Sequence, residues 1–195
     1  KSQFAVIGDN AGRVTTWTLD TGLKLLSLAR HADEISDVAV SPDGRWIASC
    51  GLDGMLAIHS SSDGKLHRNL SGSKAKLQCL SFRPDSQHIA AGSHAGDVFV
   101  WMVADGTLQP GVADAGTDVI FRLAWTPDGK RLASAHGDGR LVVRQPGDPD
   151  DLITLEGHRE GALSVCFHPR TGEMISSSFD HTIRMWPFLN TSRSR

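Results

Sequence analysis

The chain is short of the features that usually announce chemistry, and each shortage excludes something. Cysteine is rare: Cys50, Cys79 and Cys166 are an odd number with no C-x-x-C pair, which argues against a disulfide framework or a cysteine-based zinc site and fits a reducing intracellular setting. Neither sign of charge prevails, since 20 Lys+Arg against 22 Asp+Glu leave a net charge of -2. Nucleic acid and anionic membranes are therefore not expected as direct partners. The longest apolar runs, such as Val98 to Val103, fall far short of the roughly 20 residues that cross a bilayer. No charged-then-apolar signal opens the chain, so a soluble cytoplasmic or nuclear protein is expected. The nine histidines show no H-x-x-x-H or H-E-x-x-H spacing, and neither a metal nor a cofactor is expected.

What is present is self-similarity. Ser41-Pro42-Asp43-Gly44, Arg83-Pro84-Asp85-Ser86, Thr126-Pro127-Asp128-Gly129 and His168-Pro169 place their prolines 42, 43 and 42 residues apart. Trp17, His59, Trp101, Arg144 and Trp186 keep the same step, at intervals of 42, 42, 43 and 42. Two independent landmarks in one register define a repeat. Within a unit, apolar runs of four to seven residues rich in Val and Ile alternate with Gly, Pro, Asp and Ser, which predicts about four short strands per unit and no helix. Asp43-Gly44 and Asp128-Gly129 suit tight hairpin turns, where glycine tolerates positive φ.

A period near 42, four strands per unit, a Trp closing the third strand and a His ahead of the first together resemble the WD-repeat family of β-propellers. The fullest statement is Gly157-His158, Ala162 to Phe167, Ser176, Asp180 and Ile183-Arg184-Met185-Trp186. The resemblance implies an all-β propeller of four-stranded antiparallel blades, with strands in residues 4–28, 35–70, 77–112, 119–155 and 162–186 and a polar tail at 189–195. That is about 4.5 blades, expected to be the C-terminal part of a seven-bladed ring. The opening Lys1-Ser2-Gln3-Phe4 lacks a Met and runs at once into apolar residues, which agrees with the expectation of a piece. The stretch from Ser81 to Val98 is further similar to the WD-repeat subunit of the superkiller RNA-decay assembly, while ciliary and ubiquitin-ligase assemblies remain equally open.

By the resemblance, a His, a Ser, an Asp and a Trp of each blade form a hydrogen-bonded set. That set is His158, Ser176, Asp180 and Trp186 in the last blade, His31, Ser49 and Asp53 in the first full one, and Ser134 and Asp138 in the third. The second full blade keeps only Trp101, with Ser73, Ala91 and Ala95 at the other positions, and the third has Gly116 and Arg144; both should be less firmly pinned. Such groups are stable when buried only if every polar atom is satisfied. A Ser-His-Asp hydrolase is not inferred, because no Gly-x-Ser-x-Gly elbow is present. Cys79 and Cys166 are read as packing residues.

WD-repeat propellers act as rigid platforms for other proteins, so the resemblance implies a non-catalytic protein-interaction scaffold in a multiprotein complex, whose remaining blades come from missing sequence of the same protein. The alternative is a reader of phosphorylated or modified peptides at the channel mouth, and an enzyme comes last. The binding face is expected at Glu34, Leu52, Lys76, His94, Asp118, Arg159 and Phe179. Phe179 either offers an exposed aromatic to a partner or packs on its own blade. Removal of the Trp186 side chain is expected to cost about 3–5 kcal/mol, and of Arg144 much less.

Overall fold

A computed structural model describes residues 4–28, 31–70, 75–110 and 118–187. They form strands and no α-helix. The first sheet holds β1 (Phe4–Gly8), β2 (Val14–Thr18) and β3 (Lys24–Ser27); the second holds β4 (Ile35–Val40), β5 (Trp46–Gly51), β6 (Leu56–Ser60) and β7 (Leu66–Leu70). The third holds β8 (Leu77–Phe82), β9 (His88–Ser93) and β10 (Val98–Met102), and the fourth β11 (Ile120–Trp125), β12 (Leu132–His136), β13 (Leu141–Gln145) and β14 (Asp148–Leu155). The fifth is β15 (Ala162–Phe167), β16 (Met174–Ser178) and β17 (Ile183–Trp186). Every pairing is antiparallel between consecutive strands, the mark of hairpins closed by short turns.

The third sheet departs from the four-strand expectation. Among the described residues its outer strand is reduced to a single bridge between Trp101 and Leu108. Pro110 follows two residues later, and without an N–H it cannot extend the ladder.

The turns follow from local chemistry. Gly44 and Gly129 sit at φ 75° and 69° in the Pro-Asp-Gly turns. In each, the Asp carboxylate accepts from a hydroxyl and a backbone N–H: Asp43 from Ser41 at 2.6 Å and Arg45 at 3.0 Å, Asp128 from Thr126 at 2.6 Å and Lys130 at 3.0 Å. Ser86 occupies the glycine position of the third sheet at φ 60°. Its hydroxyl accepts the Asp43 N–H of the preceding sheet at 3.0 Å, a bond that glycine could not make.

Each leading strand carries a bulge at the same place, between Ile35 and Asp37, Leu77 and Cys79, Ile120 and Arg122, and Ala162 and Ser164. A bulge adds twist and re-aims side chains. Here it lets polar groups cross to other sheets: Ser36 donates to the Leu77 carbonyl at 2.8 Å, and the Asp37 carboxylate accepts the Leu80 N–H at 3.0 Å and lies 3.5 Å from the Arg122 guanidinium.

The core lies between sheets. Val14, Leu28 and Ile47 join the first two; Leu56, Ile58, Leu80, Ile89 and Trp101 join the second and third; Val98, Val100, Ile120 and Trp125 the third and fourth; Leu141, Val143, Val165 and Met174 the fourth and fifth. Face-to-face packing of twisted sheets, each touching its sequence neighbours, is propeller geometry.

The outer flank of the fifth sheet breaks this pattern. Ile183 and Met185 are 76% and 64% exposed, whereas the residues one, two and three repeats earlier, Leu141, Val98 and Leu56 for Ile183 and Val143, Val100 and Ile58 for Met185, are all buried.

Candidate functional site

In the fifth sheet, the loop before β15 and strands β16 and β17 bring four side chains into one chain of hydrogen bonds. The Trp186 indole N–H donates to Ser176 Oγ at 2.8 Å, and Ser176 Oγ lies 2.7 Å from His158 Nε2, whose Nδ1 lies 3.1 Å from Asp180 Oδ2. A carboxylate can only accept, so Nδ1 carries the proton, Nε2 accepts from the serine hydroxyl, and the donation runs one way from Trp to Asp. Asp180 also accepts from the Thr182 hydroxyl and from the N–H groups of Thr182 and Arg159. Led by the Thr182 hydroxyl, these bonds hold its carboxyl well below the usual carboxylate range against the opposing effect of burial. Gly157 makes room for the indole, because a Cβ there would lie 2.9 Å from Trp186 Cη2.

The second sheet repeats the arrangement. His31 Nε2 accepts from Ser49 at 2.9 Å and Nδ1 donates to Asp53 at 3.1 Å, while Asp53 accepts the N–H groups of Ala32 and Met55. Burial alone would raise the Asp53 carboxyl; the His31 bond and the two N–H bonds outweigh it and lower it. His59 takes the Trp place at 0% exposure. Burial first, and His31 second, push its imidazole below the ordinary value.

The fourth sheet does not unite Ser134 and Asp138. Ser134 instead bonds His136 Nε2 at 2.8 Å, and Asp138 takes the N–H and the guanidinium of Arg140. A histidine two residues along the same strand thus stands in for one that would arrive from the preceding loop, where Gly116 lies outside the described residues. The signal was in the sequence, as a buried-strand His two places after the Ser. Arg144 is only 4% exposed. In the third sheet Ser73 lies outside the described residues, Ala91 and Ala95 offer no polar side chain, and Ser93 makes its own turn by accepting the N–H groups of Ala95 and Asp97.

These Ser-His-Asp groups fasten loops to sheets. Ser49 and Ser176 are 0% and 2% exposed, so neither hydroxyl can meet a substrate. Burial likewise pushes the Cys79 thiol up to about 12 and the Cys50 thiol well above its ordinary value. Cys166, by contrast with its packing assignment, is exposed.

One end of the sheets gathers the remaining residues. The carbonyl of the loop entering each sheet takes an N–H from the turn between its second and third strands: Leu52 to Glu34 at 3.0 Å, His94 to Lys76 at 2.9 Å, Gly137 to Val119 at 2.9 Å and Phe179 to Gly161 at 3.0 Å. Glu34, Lys76, His94 and Arg159 are exposed, and Leu52 and Asp118 half-buried. Phe179 is 49% exposed and meets Phe121 of the fourth sheet edge to face, with centroids 6.0 Å apart. It therefore packs on the neighbouring sheet and still offers half its surface.

Five antiparallel sheets fanned around shared faces define a β-propeller repeat protein. The family model described as WD domain, G-beta repeat matches residues 22–60, 64–102, 113–144 and 150–187, and the chain belongs to that family. Each match whose ends are described begins at the outer strand of one sheet and ends at the third strand of the next, so the sequence repeat straddles two sheets. Among curated proteins, WD repeat-containing protein SL1-17 of Schistosoma mansoni is 27% identical over 94% of this chain and 61% of its own length. WD repeat and HMG-box DNA-binding protein 1 of Xenopus laevis is 28% identical over 80% of this chain and 14% of its own length. The tRNA (guanine-N(7)-)-methyltransferase non-catalytic subunit wuho of Drosophila mojavensis is 26% identical over 80% of this chain and 42% of its own length. The chain thus spans less than two thirds of each of these relatives. The computationally designed protein Ika8 superposes with a TM-score of 0.84 at 24% identity, over 96% of this chain and 56% of that one.

Proposed function

We propose that this chain is a non-catalytic protein-interaction scaffold in a multiprotein assembly, gripping its partner through the face of Glu34, Leu52, Lys76, His94, Asp118, Arg159 and Phe179. The observation that carries this reading is Phe179, an aromatic held at 49% exposure on a turn tied to the Gly161 carbonyl and braced by Phe121. An exposed aromatic on a rigid support is the usual centre of a binding hot spot. The naming of one relative as a non-catalytic subunit supports the same class. A phosphopeptide reader would need converging cations, but Lys76 enters the third sheet and Arg159 the fifth, and Arg122 already faces Asp37. We further propose that the exposed Ile183 and Met185 flank is covered by another sheet of the same protein, and that the protein works in cytoplasm or nucleus.

The test is co-purification from cells with Phe179→Ala and Arg159→Ala. Loss of partners with stability changed by no more than about 0.5 kcal/mol, the range of ordinary surface substitutions, supports the face; full retention in both variants overturns it.

A further inference from the structure

In an antiparallel sheet the turns after the first and third strands share one end, and the turn after the second lies at the other. Phe179 belongs to the second kind. At the end away from it, a cleft of about 280 Å³ opens between the third and fourth sheets, lined by Arg83, Trp125, Gly129, Lys130, Gln145 and Pro146. Both sheets pack against a neighbour on each flank, so the cleft lies inside the fan.

The repeat shows why this junction is open. Pro146 stands where Ser61 and Val103 stand in the two preceding sheets. Those residues donate their N–H groups to the carbonyls of Arg45 and Gln87, at 3.0 and 2.9 Å, and so fasten the turn after the third strand to the turn after the first. Pro146 has no N–H to give. Among the described residues no donor reaches the Lys130 carbonyl, the counterpart of those two acceptors. Pro146 and Gly147 also form a tight turn, with Gly147 at φ 91° and Asp148 already paired to Gln145, where the second sheet uses residues 61–65. Gly129 opens the other wall. Ser86, in its place in the third sheet, accepts the Asp43 N–H across the junction at 3.0 Å, whereas Gly129 has no hydroxyl for the Asp85 N–H. A Cβ at Gly129 would lie 3.1 Å from Arg83 Nε, so the glycine also makes room for that side chain.

The lining holds two cations and no carboxylate. The Arg83 guanidinium lies over the Trp125 ring, 5.6 Å from its centroid, and the indole is fixed in turn by donating to the Ser81 carbonyl at 3.2 Å. Arg83 itself is thinly held. The Asp85 carboxylate lies 3.5 Å from Nε, and among the described residues its one hydrogen bond runs from Nη1 to His88 Nδ1 at 3.4 Å. Nη2 is left for another acceptor. Lys130 is exposed, and the nearby Asp128 carboxylate already accepts from the Thr126 hydroxyl and the Lys130 N–H.

We propose that this cleft binds an extended acidic peptide segment of a partner protein. A carboxylate side chain of that segment sits between Arg83 Nη2 and the Lys130 ammonium, one of its backbone N–H groups donates to the Lys130 carbonyl, and an aliphatic neighbour lies on Pro146. A guanidinium fork resting on an aromatic face suits the planar carboxylate. The main-chain acceptor beside it selects a polypeptide over a small anion, because the segment supplies the N–H that Pro146 lacks.

The probe is a fluorescein-labelled Gly-Ser-Leu-Glu-Leu-Ser-Gly peptide with an amidated end, titrated against the 195-residue chain by anisotropy. Saturable binding that weakens as salt is raised is expected. Replacing the peptide's Glu by Gln, or Arg83→Gln in the protein, should each weaken it about tenfold or more. Two milder variants copy what the other sheets already carry. Lys130→Gln installs the side chain of Gln87 at an exposed position, and Pro146→Ser restores the N–H that Ser61 uses; each should weaken binding about threefold or more. No binding of the Glu peptide, or binding untouched by all three protein variants, overturns the inference. Binding only when phosphoserine replaces the Glu overturns it in favour of a phosphate site, and competition by free acetate as strong as by unlabelled peptide overturns it in favour of a small-anion site.

Discussion

The fifth and third sheets solve one problem in different ways. Among the described residues the fifth packs against a neighbour on one flank only; its Trp186 is half-buried, and Ser176, His158 and Asp180 tie that indole to the loop before β15. The third has hydrophobic clusters on both flanks, keeps Trp101 at 2% exposure with Phe99 stacked 5.5 Å away, and has Ala91 and Ala95 at two of the polar positions. Burial on two sides replaces hydrogen bonding, because apolar area removed from water stabilises without requiring partners for each atom. The second sheet has both devices. In the third sheet, burial on both flanks stands where the polar set is lost.

The largest effect that could break this comparison is at Trp101. Trp101→Ala should cost about 3–5 kcal/mol, the range for emptying a buried aromatic site, and more than Trp186→Ala, whose ring is partly exposed already. Equal midpoints in urea would refute the contrast. Arg144→Ala should no longer be mild: at 4% exposure its stem is part of the packing, and a loss of about 1–3 kcal/mol is expected from burial of a polar group and its contacts.

His158→Ala tests the relay itself. It leaves Ser176 and Asp180 without their shared partner and should cost about 1–3 kcal/mol, whereas Ala91→Ser in the third sheet should bring no gain, since the imidazole that would receive it is missing. Acid should separate the groups further. Asp53 and Asp180 are held below the usual range, so their contribution is complete above the unfolded value near 3.9 and disappears as pH falls through the lowered folded values. His59 acts earlier. Its folded imidazole resists protonation while the unfolded one takes a proton, so stability declines as pH drops below the ordinary value of 6.5. His59→Gln should remove this upper step and leave the lower one, as read from urea midpoints at pH near 7.5, 5.5 and 3.5. The smallest change in midpoint concerns the flank: exposed Ile183 and Met185 are expected to make the chain associate as concentration rises in light scattering, and Ile183→Asp with Met185→Asp should abolish that association while barely altering the urea midpoints.

Much of this was legible in the residues. The 42-residue step sets the sheet count, and His31, Ser49, Asp53, His158, Ser176, Asp180 and Trp186 lie in bonding distance, as the family resemblance implies. What was hidden is what depends on direction rather than identity. Arg144 occupies an aromatic site because a long aliphatic stem can lie in the same space, and Ser134 finds His136 because alternate residues of a strand share a face. The bulges leave no mark in composition, since any residue can occupy them, and among the described residues the outer strand of the third sheet is reduced to one bridge two residues before Pro110.

Each apolar cluster joins two consecutive sheets and no more. The molecule accordingly behaves as links in series rather than as a body with one centre. Damage at one junction should be felt chiefly by its two leaves, insertions between leaves should be tolerated, and a pulling experiment should yield in steps of one leaf at a time.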